Sequence, residues 1–323
     1  MGSAMGLDIG HSAAKVAVDS GEVAIVAAAT RAVTLSTHEA EAAAQKDTVS
    51  VNGESWLVGD SALVHTLGRV SDGLRDDWIS TPEYGALLKA GYDRGSHMQG
   101  VAVENVVVGL PSRLFVAQKE KLRTLVSSIT QTPAAHVSVL PQPLAAFMVK
   151  AIGDDAESHG KGAAAKPDEA AMNESWVVVD VGYYTTDFGF IDRGIWSESA
   201  AQSASGVAAP AEAMRRYLVS LGMNASARAA SDALRIKSVK YDGEVRDLTK
   251  QSDAIAMEFA TTVIDQAERV MGERIHSADG ILVVGGGADL VFKHIRKRWK
   301  HAVVPKNPRF AVAEGMRRAG GVA

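Results

Sequence analysis

The sequence predicts an α/β protein of two domains, each built around buried and mostly parallel strands. Three short valine-rich runs, at 103–111, 174–182 and 280–287, contain a glycine at or near their ends. Such runs are typical of buried parallel strands whose carboxyl ends carry a binding site. Stretches with helical periodicity lie between these runs. Because 323 residues are many for one hydrophobic core, the length favours two domains.

The composition excludes several classes of protein. Hydrophobic residues make up 46% and charged residues 22%, and the apolar segments are interrupted too often to span a bilayer. There is no cysteine, and the nine histidines show no paired ligand spacing, so we expect no thiolate or transition-metal site. A net charge of -4 gives no basic field for nucleic acid, and no signal peptide opens the sequence. We therefore expect a cytoplasmic protein that binds neither nucleic acid directly nor a membrane.

The remaining elements follow from local patterns. Alternating residues predict a strand over 23–33, and apolar residues on one face predict a helix over 115–129. A second helix is predicted over 252–275, with Ser252 as its N-cap. The small, polar and charged segment 153–173 is predicted to be an exposed linker or loop.

One motif occurs twice. The sequence LDIG at 7–10 and the sequence VDVG at 179–182 both end an apolar strand with aspartate, one apolar residue and glycine, which suggests an internal duplication. Two such hairpins offer backbone N–H groups and hydroxyls to a polyphosphate. Because carboxylates and phosphates repel each other, a cation is needed between them, and Mg²⁺ suits oxygen ligands. On the second strand of its hairpin, Lys15 can reach the phosphates as a point charge.

A third motif, GILVVGGGADL at 280–290, places three glycines between a strand and a helix. Consecutive glycines let the backbone approach a flat ligand closely, with the helix N-terminus behind it. Each turn alone is more often a plain connection without a ligand. All three in this order favour a nucleotide site.

With these motifs, the sequence resembles the ATPase superfamily of actin, Hsp70 and the sugar kinases. The resemblance implies two domains with a duplicated RNase H-like fold and a nucleotide in the cleft between them. The compact size and the segment NPRFAVAEGMRRAG at 307–320 resemble the plasmid-segregation actins of the ParM or StbA type and a similar archaeal actin. Domain I would span 1–152, with an inserted subdomain at about 20–90 and a helix at 305–323 that packs back on it. Domain II would span 174–304, with an insertion at about 210–275.

The resemblance also implies roles for individual residues. Asp8 and Asp180 would be catalytic and would hold the metal, and Gln142 in VLPQPLAAF would orient the attacking water. A neutral amide is a poor general base, so hydrolysis would be slow. The residues expected to contact the nucleotide are Gly10, His11, Ser12, Lys15, Gly182, Tyr183, Thr185, Thr186, Gly206, Gly285, Gly286, Gly287 and Ala288.

The sequence departs from the superfamily pattern in both hairpins. His11 stands where a small hydroxyl residue is common, and Tyr183 and Tyr184 stand where small residues are usual. Phosphate contacts at these positions would therefore come from the backbone rather than from side chains.

By the same resemblance, the function would be that of a polymerising ATPase. It would bind Mg²⁺ with ATP or GTP, self-associate into cytoskeletal filaments, and weaken its subunit contacts on hydrolysis. Its duty would be plasmid DNA segregation through a DNA-binding adaptor protein on a plasmid centromere. Two alternatives remain open, namely a non-polymerising ATP-binding scaffold and a small-molecule kinase of the same fold. A kinase would need an aspartate base in the cleft and commonly a longer chain.

Overall fold

The computed structural model of the chain describes residues 3–32, 45–66, 75–152 and 168–322. The chain forms two compact units. Unit 1 comprises Met1–Met172 and Phe310–Ala323, and unit 2 comprises Asn173–Arg309. Most of the predicted linker, at 153–167, lies outside the described residues, and the rest of it includes a short helix.

Unit 1 contains strands and helices from both parts of its sequence. In chain order they are β1 (Ala4–Ile9), β2 (Ala13–Val18), β3 (Gly21–Val26), β4 (Ala29–Arg31), β5 (Thr48–Val51), β6 (Glu54–Val58), α1 (Gly59–His65), α2 (Pro82–Gln99), β7 (Asn105–Leu110), α3 (Ser112–Thr130), β8 (Val137–Pro141), α4 (Gln142–Ala151) and, after unit 2, α11 (Ala311–Val322). The short helix α5 (Glu169–Asn173) lies where the chain passes into unit 2.

Unit 2 is one continuous stretch of chain. Its elements are β9 (Ser175–Val181), β10 (Thr185–Asp192), β11 (Ile195–Trp196), β12 (Gln202–Ser205), α6 (Ala208–Ser220), α7 (Ala227–Ile236), β13 (Ser238–Tyr241), β14 (Glu244–Asp247), α8 (Thr249–Met271), α9 (Arg274–Ser277), β15 (Gly280–Val284), α10 (Ala288–Arg298) and β16 (Ala302–Val303).

The main sheets of the two units have the same topology. The strand order is β3-β2-β1-β7-β8 in unit 1 and β11-β10-β9-β15-β16 in unit 2. In both sheets the first three strands are antiparallel and the next two join in parallel. The three valine-rich runs are β7, β9 and β15, and their apolar residues are buried. The predicted duplication is therefore confirmed.

Two local predictions are wrong. The single strand expected over 23–33 is split into β3 and β4, which belong to different sheets, since β4 pairs with β6. The N-cap expected at Ser252 lies inside α8, which begins at Thr249. The N-cap is Leu248, and the carboxylate of Asp247 just before it accepts from the backbone N–H of Thr249 (3.0 Å) and from its hydroxyl (2.6 Å). These bonds lower the pKa of Asp247.

The helix α11 packs closely on unit 1 through glycines. A Cβ on Gly6 of β1 would overlap the carbonyl oxygen of Ala313, and one on Gly315 would overlap that of Ala145 in α4. Backbone therefore meets backbone at these positions, and a side chain has no room there.

A buried arginine fixes the same helix. Arg318 donates to the carbonyl oxygens of Val149 (2.9 Å) and Ile152 (2.5 Å), which satisfies the C-terminus of α4. It also donates to Glu314 (2.7 Å), which accepts from Arg317 as well. Burial alone would raise the pKa of Glu314, but the hydrogen bonds from the two arginines leave it lowered.

Among the described helices, none is both long enough and apolar enough to cross a membrane.

The close approach of α11 makes Gly315 sensitive to substitution. We expect Gly315→Ala to lower the free energy of unfolding by about 3 kcal/mol, because the added methyl group must displace backbone rather than a flexible side chain. Thermal unfolding measures the effect. The matched control is Gly321→Ala in the same helix, where the added carbon meets no heavy atom within 4 Å. Equal melting temperatures for the two variants would contradict this account of the packing.

Candidate functional site

The first hairpin joins a buried carboxylate to a lysine. In the register of β1 and β2, Asp8 lies opposite Lys15, and cross-strand partners share one face of the sheet. The ammonium group of Lys15 is 2.7 Å from Oδ2 of Asp8, which is only 3% exposed. The seven-residue spacing of Asp8 and Lys15 therefore places them opposite each other across a tight hairpin turn. The lysine balances a charge that would be costly to bury alone.

Gln142 contacts the same carboxylate from the start of α4. Its Nε2 donates to Oδ1 of Asp8 at 3.0 Å. Gln142 opens α4 directly after β8, and the order β1-β7-β8 brings the carboxyl ends of these parallel strands to one edge. A Cβ on Gly109 of β7 would overlap Cε of Met316 in α11 and would lie 3.1 Å from Cγ of Gln142, so a side chain there would crowd both residues. Asp8, Lys15 and Gln142 thus meet as one group.

The turn after β1 is held from a distant segment. The N–H of Gly10 donates to the carbonyl oxygen of Ala13 (3.1 Å) and closes the turn. The indole Nε1 of Trp78 donates to the carbonyl oxygen of Ile9 (3.1 Å), and its ring stacks on His11 with centroids 4.8 Å apart. No sequence pattern relates Trp78 to the first motif, because the two lie far apart along the chain.

A buried tyrosine backs this tryptophan. Tyr84 packs edge-on against Trp78, with centroids 5.8 Å apart. Burial and the charge of Asp8 raise the pKa of Tyr84, so its hydroxyl stays protonated. Sequence reasoning missed this residue too.

The second hairpin, in unit 2, is closed by backbone bonds. The N–H of Gly182 donates to Thr185 O (2.8 Å), and Val207 N–H donates to Gly182 O (3.0 Å). Gly206 N–H donates to Tyr184 O (2.9 Å), and a Cβ on Gly206 would lie 2.6 Å from Gly182 O. The predicted glycine turn at 206 therefore packs directly against the hairpin.

The two threonine hydroxyls of this hairpin are committed within unit 2. Thr185 donates to Oδ2 of Asp187 (2.8 Å), and Thr186 donates to the carbonyl oxygen of Ser205 (3.0 Å). The hydroxyl of Ser203 also donates to Asp187, which is 5% exposed and lies opposite Asp180 in the register of β9 and β10. A hydroxyl has a single proton, and in this structure both threonines donate it to oxygens of unit 2. The role of Asp187 was missed, although it follows the two threonines in the sequence.

The three glycines after β15 differ in how closely neighbouring atoms approach them. Gly285 has φ +91°, and a Cβ there would overlap Oδ1 of Asp180. A Cβ on Gly287 would overlap the side chain of Val207. Gly286 is exposed, and a Cβ there would lie 4.0 Å from its nearest neighbour, the Cγ of Arg309. Internal packing thus explains Gly285 and Gly287, and α10 begins at Ala288 as predicted.

Carboxylates are the candidate metal ligands of the two turns. Within the described ranges, no group of three or more Asp, Glu or His side chains could hold a metal ion. Asp8 and Asp180 stand on separate turns, one in each unit. Mg²⁺ keeps most of its waters and is commonly held by one or two carboxylates together with phosphates, so a single turn carboxylate is chemically compatible with it.

The sequence matches two models of actin-like proteins. Residues 6–144 match the model described as the N-terminal domain of actin-like proteins. Residues 178–297 match the C-terminal model of the archaeal MreB-like actin homologue. The chain belongs to the actin-like superfamily. No curated protein matches the sequence.

Solved structures confirm the actin-like fold over the whole chain. The archaeal actin homologue Ta0583 in complex with ADP has a TM-score of 0.72 at 17% identity, covering 99% of this chain and 100% of that one. A ParM filament structure from Clostridium botulinum has a TM-score of 0.72 at 16% identity, covering 99% of both chains. The actin-like protein Alp7A has a TM-score of 0.72 at 14% identity, covering 99% of this chain and 96% of that one.

The pKa of His11 should reflect the burial of its imidazole in the first turn. Burial lowers the pKa of His11 below its usual 6.5, and the charge of Arg113 acts in the same direction. We expect the imidazole to titrate with a midpoint below 6.5 in NMR spectra. Because the unfolded chain then binds the proton more readily, acidification through 6.5 lowers the free energy of unfolding.

His11→Gln assigns the resonance and removes this contribution to the pH dependence of stability. A midpoint at or above 6.5 would show that the turn does not bury the imidazole.

Proposed function

We propose that this actin-like protein is a slow ATPase that polymerises with bound nucleotide. The observation that carries the proposal is the group at the first turn, where the Gln142 amide and the Lys15 ammonium both contact Asp8. An orienting amide, a cation and a carboxylate are the parts that hydrolysis of a metal-bound polyphosphate requires.

Phosphate binding is assigned chiefly to the backbone of the two hairpin turns. The hydroxyls of Thr185 and Thr186 already donate elsewhere, so N–H groups are the better donors for an anion. Lys15 adds a positive charge beside the first turn, with its side chain 17% exposed. Asp8 and Asp180 are the residues that would hold Mg²⁺, which neutralises phosphate charge when it is bound.

Gln142 is proposed to orient the attacking water. Its Nε2 is held by Asp8 at 3.0 Å, which fixes the amide plane while leaving a carbonyl oxygen that can accept from water. An amide cannot take up the proton of that water as a carboxylate can, so turnover is slow.

The biological role we propose is plasmid DNA segregation. The similarity to a ParM filament structure supports self-association, and the ADP complex of the archaeal homologue supports an adenine nucleotide. With a net charge of -4, the chain would reach DNA through a DNA-binding adaptor on a plasmid centromere rather than directly. We place this activity in the cytoplasm.

Sedimentation tests the proposal most directly. Purified protein is centrifuged with Mg·ATP, with Mg·ADP and without nucleotide, and each pellet is imaged by negative stain. We expect filaments with Mg·ATP above a critical concentration and little pellet without nucleotide. Protein that binds ATP but stays in the supernatant in all three tubes would refute polymerisation and favour a scaffold.

The role of Gln142 has its own test. We expect Gln142→Ala to slow ATP hydrolysis about a hundredfold, because the water loses its orienting group, and to leave ATP affinity within about twofold. Filaments should therefore persist longer. Phosphate release and equilibrium binding measure the two effects.

The matched control is Gln202→Ala, which removes an exposed glutamine on β12. A Gln142→Ala variant that hydrolyses ATP at the parent rate would rule out the orienting role.

A further inference from the structure

We infer that Trp78 is a positioning residue for the first phosphate turn, and that segment 75–80 sets the geometry of that turn from outside the motif. The inference rests on the proposed function in one respect, since it takes the turn at 10–12 to bind phosphate. The contacts themselves do not depend on that assumption.

The first contact gives a hydrogen-bond donor to the backbone carbonyl of Ile9, which lies beyond the paired part of β1. Gly10 and Ala13 are hydrogen-bonded partners, so at the neighbouring pair of Ile9 and Ala14 the backbone groups point away from β2. On the other side of β1, the register with β7 ends at Leu7. The carbonyl of Ile9 thus lies beyond the ladder in a buried place, where an unpaired acceptor is costly. The indole N–H of Trp78 supplies the partner at 3.1 Å.

The second contact holds the turn on the other side of Gly10. The imidazole of His11 lies on the indole of Trp78 with 24° between the ring planes. Its Nε2 accepts from the backbone N–H of Arg75 at 3.3 Å. Two residues of one distant segment therefore fix the residues before and after Gly10, in the turn that is proposed to bind phosphate.

The segment is itself anchored to α3. Gln118 donates to the carbonyl oxygen of Asp76 (2.7 Å), and Arg113 pairs with the carboxylate of Asp76 (2.5 Å). Lys121 donates to the hydroxyl of Ser80 (2.6 Å). A buried tryptophan between a helix-anchored segment and a turn can transmit the position of one to the other, because packed interiors deform little. We call the indole of Trp78, the imidazole of His11 and these three anchoring contacts the brace.

Trp78→Phe tests the brace in the full chain, because phenylalanine keeps an aromatic ring and loses only the N–H donor and part of the ring area. The chain offers a matched control in Trp299→Phe. Trp299 is also buried, and its indole N–H has no hydrogen-bond partner in the part of the chain that is described. The two variants therefore remove the same group, once with a partner and once without.

Amide hydrogen exchange is measured first, without nucleotide. We expect Trp78→Phe to speed exchange about tenfold in peptides covering 9–14, in keeping with the loss of one buried hydrogen bond, and to leave unit 2 unchanged. Trp299→Phe should leave 9–14 at the parent rate. Unchanged exchange in 9–14 for Trp78→Phe would overturn the inference.

ATP affinity is measured next on the same preparations. We expect Trp78→Phe to bind Mg·ATP about tenfold more weakly than the parent, and Trp299→Phe to match the parent. Parent affinity in Trp78→Phe would also overturn the positioning role, since a looser turn would then not affect the ligand. A parent protein that binds no ATP would refute the proposed function alone, because the exchange result still decides whether Trp78 braces the turn.

A second variant covers the case in which Trp78→Phe does not fold. His11→Ala removes the stacked ring and the acceptor for Arg75 while keeping the bond from Trp78 to Ile9. We expect faster exchange in 9–14 here too, by a smaller factor than in Trp78→Phe. Exchange at the parent rate would count against the brace in the same way.

Discussion

The buried carboxylate of Asp8 is the constraint on which the first unit's site depends. A charge that is 3% exposed needs both a counter-charge and hydrogen-bond donors, and Lys15 and Gln142 provide them. Meeting that need fixes three pieces of chain relative to one another, namely the ends of β1 and β2 and the start of α4. The same requirement that stabilises the fold therefore brings Asp8, Lys15 and Gln142 together.

Unit 2 has a main sheet of the same topology, but its buried carboxylate is stabilised by hydroxyl groups. The carboxylate that is buried there, Asp187, takes the hydroxyls of Thr185 and Ser203 rather than a lysine. Gly206 and Gly285 let neighbouring backbone close around the turn. One topology, used twice, thus supports a charged turn in unit 1 and a hydroxyl-lined turn in unit 2.

Much of this arrangement could be predicted from local patterns. The spacing of Asp8 and Lys15 corresponds to a hairpin register, and the position of Gln142 after a strand follows from the family resemblance. The contact between Gln142 and Asp8 depends on the strand order β1-β7-β8, which only the structure shows. The contact between Trp78 and Ile9 could not be predicted, because no periodicity relates residues that far apart. Nor could the direction of the Thr185 hydroxyl, since alternation in a strand decides which face a side chain occupies but not where its proton points. The start of α8 at Thr249 could not be predicted from Ser252, because apolar periodicity does not mark the exact first turn of a helix.

The packing of α11 has a consequence for how the chain is made. Unit 2 is one continuous stretch, whereas unit 1 needs a helix that is translated after all of unit 2. While the ribosome is still synthesising 310–323, the faces of β1 and α4 around Gly6 and Ala145 are uncovered. Unit 2 can therefore complete its core first, and unit 1 presents apolar surface for longer. In the cell, this interval is when nascent unit 1 is most exposed to chaperones and to aggregation.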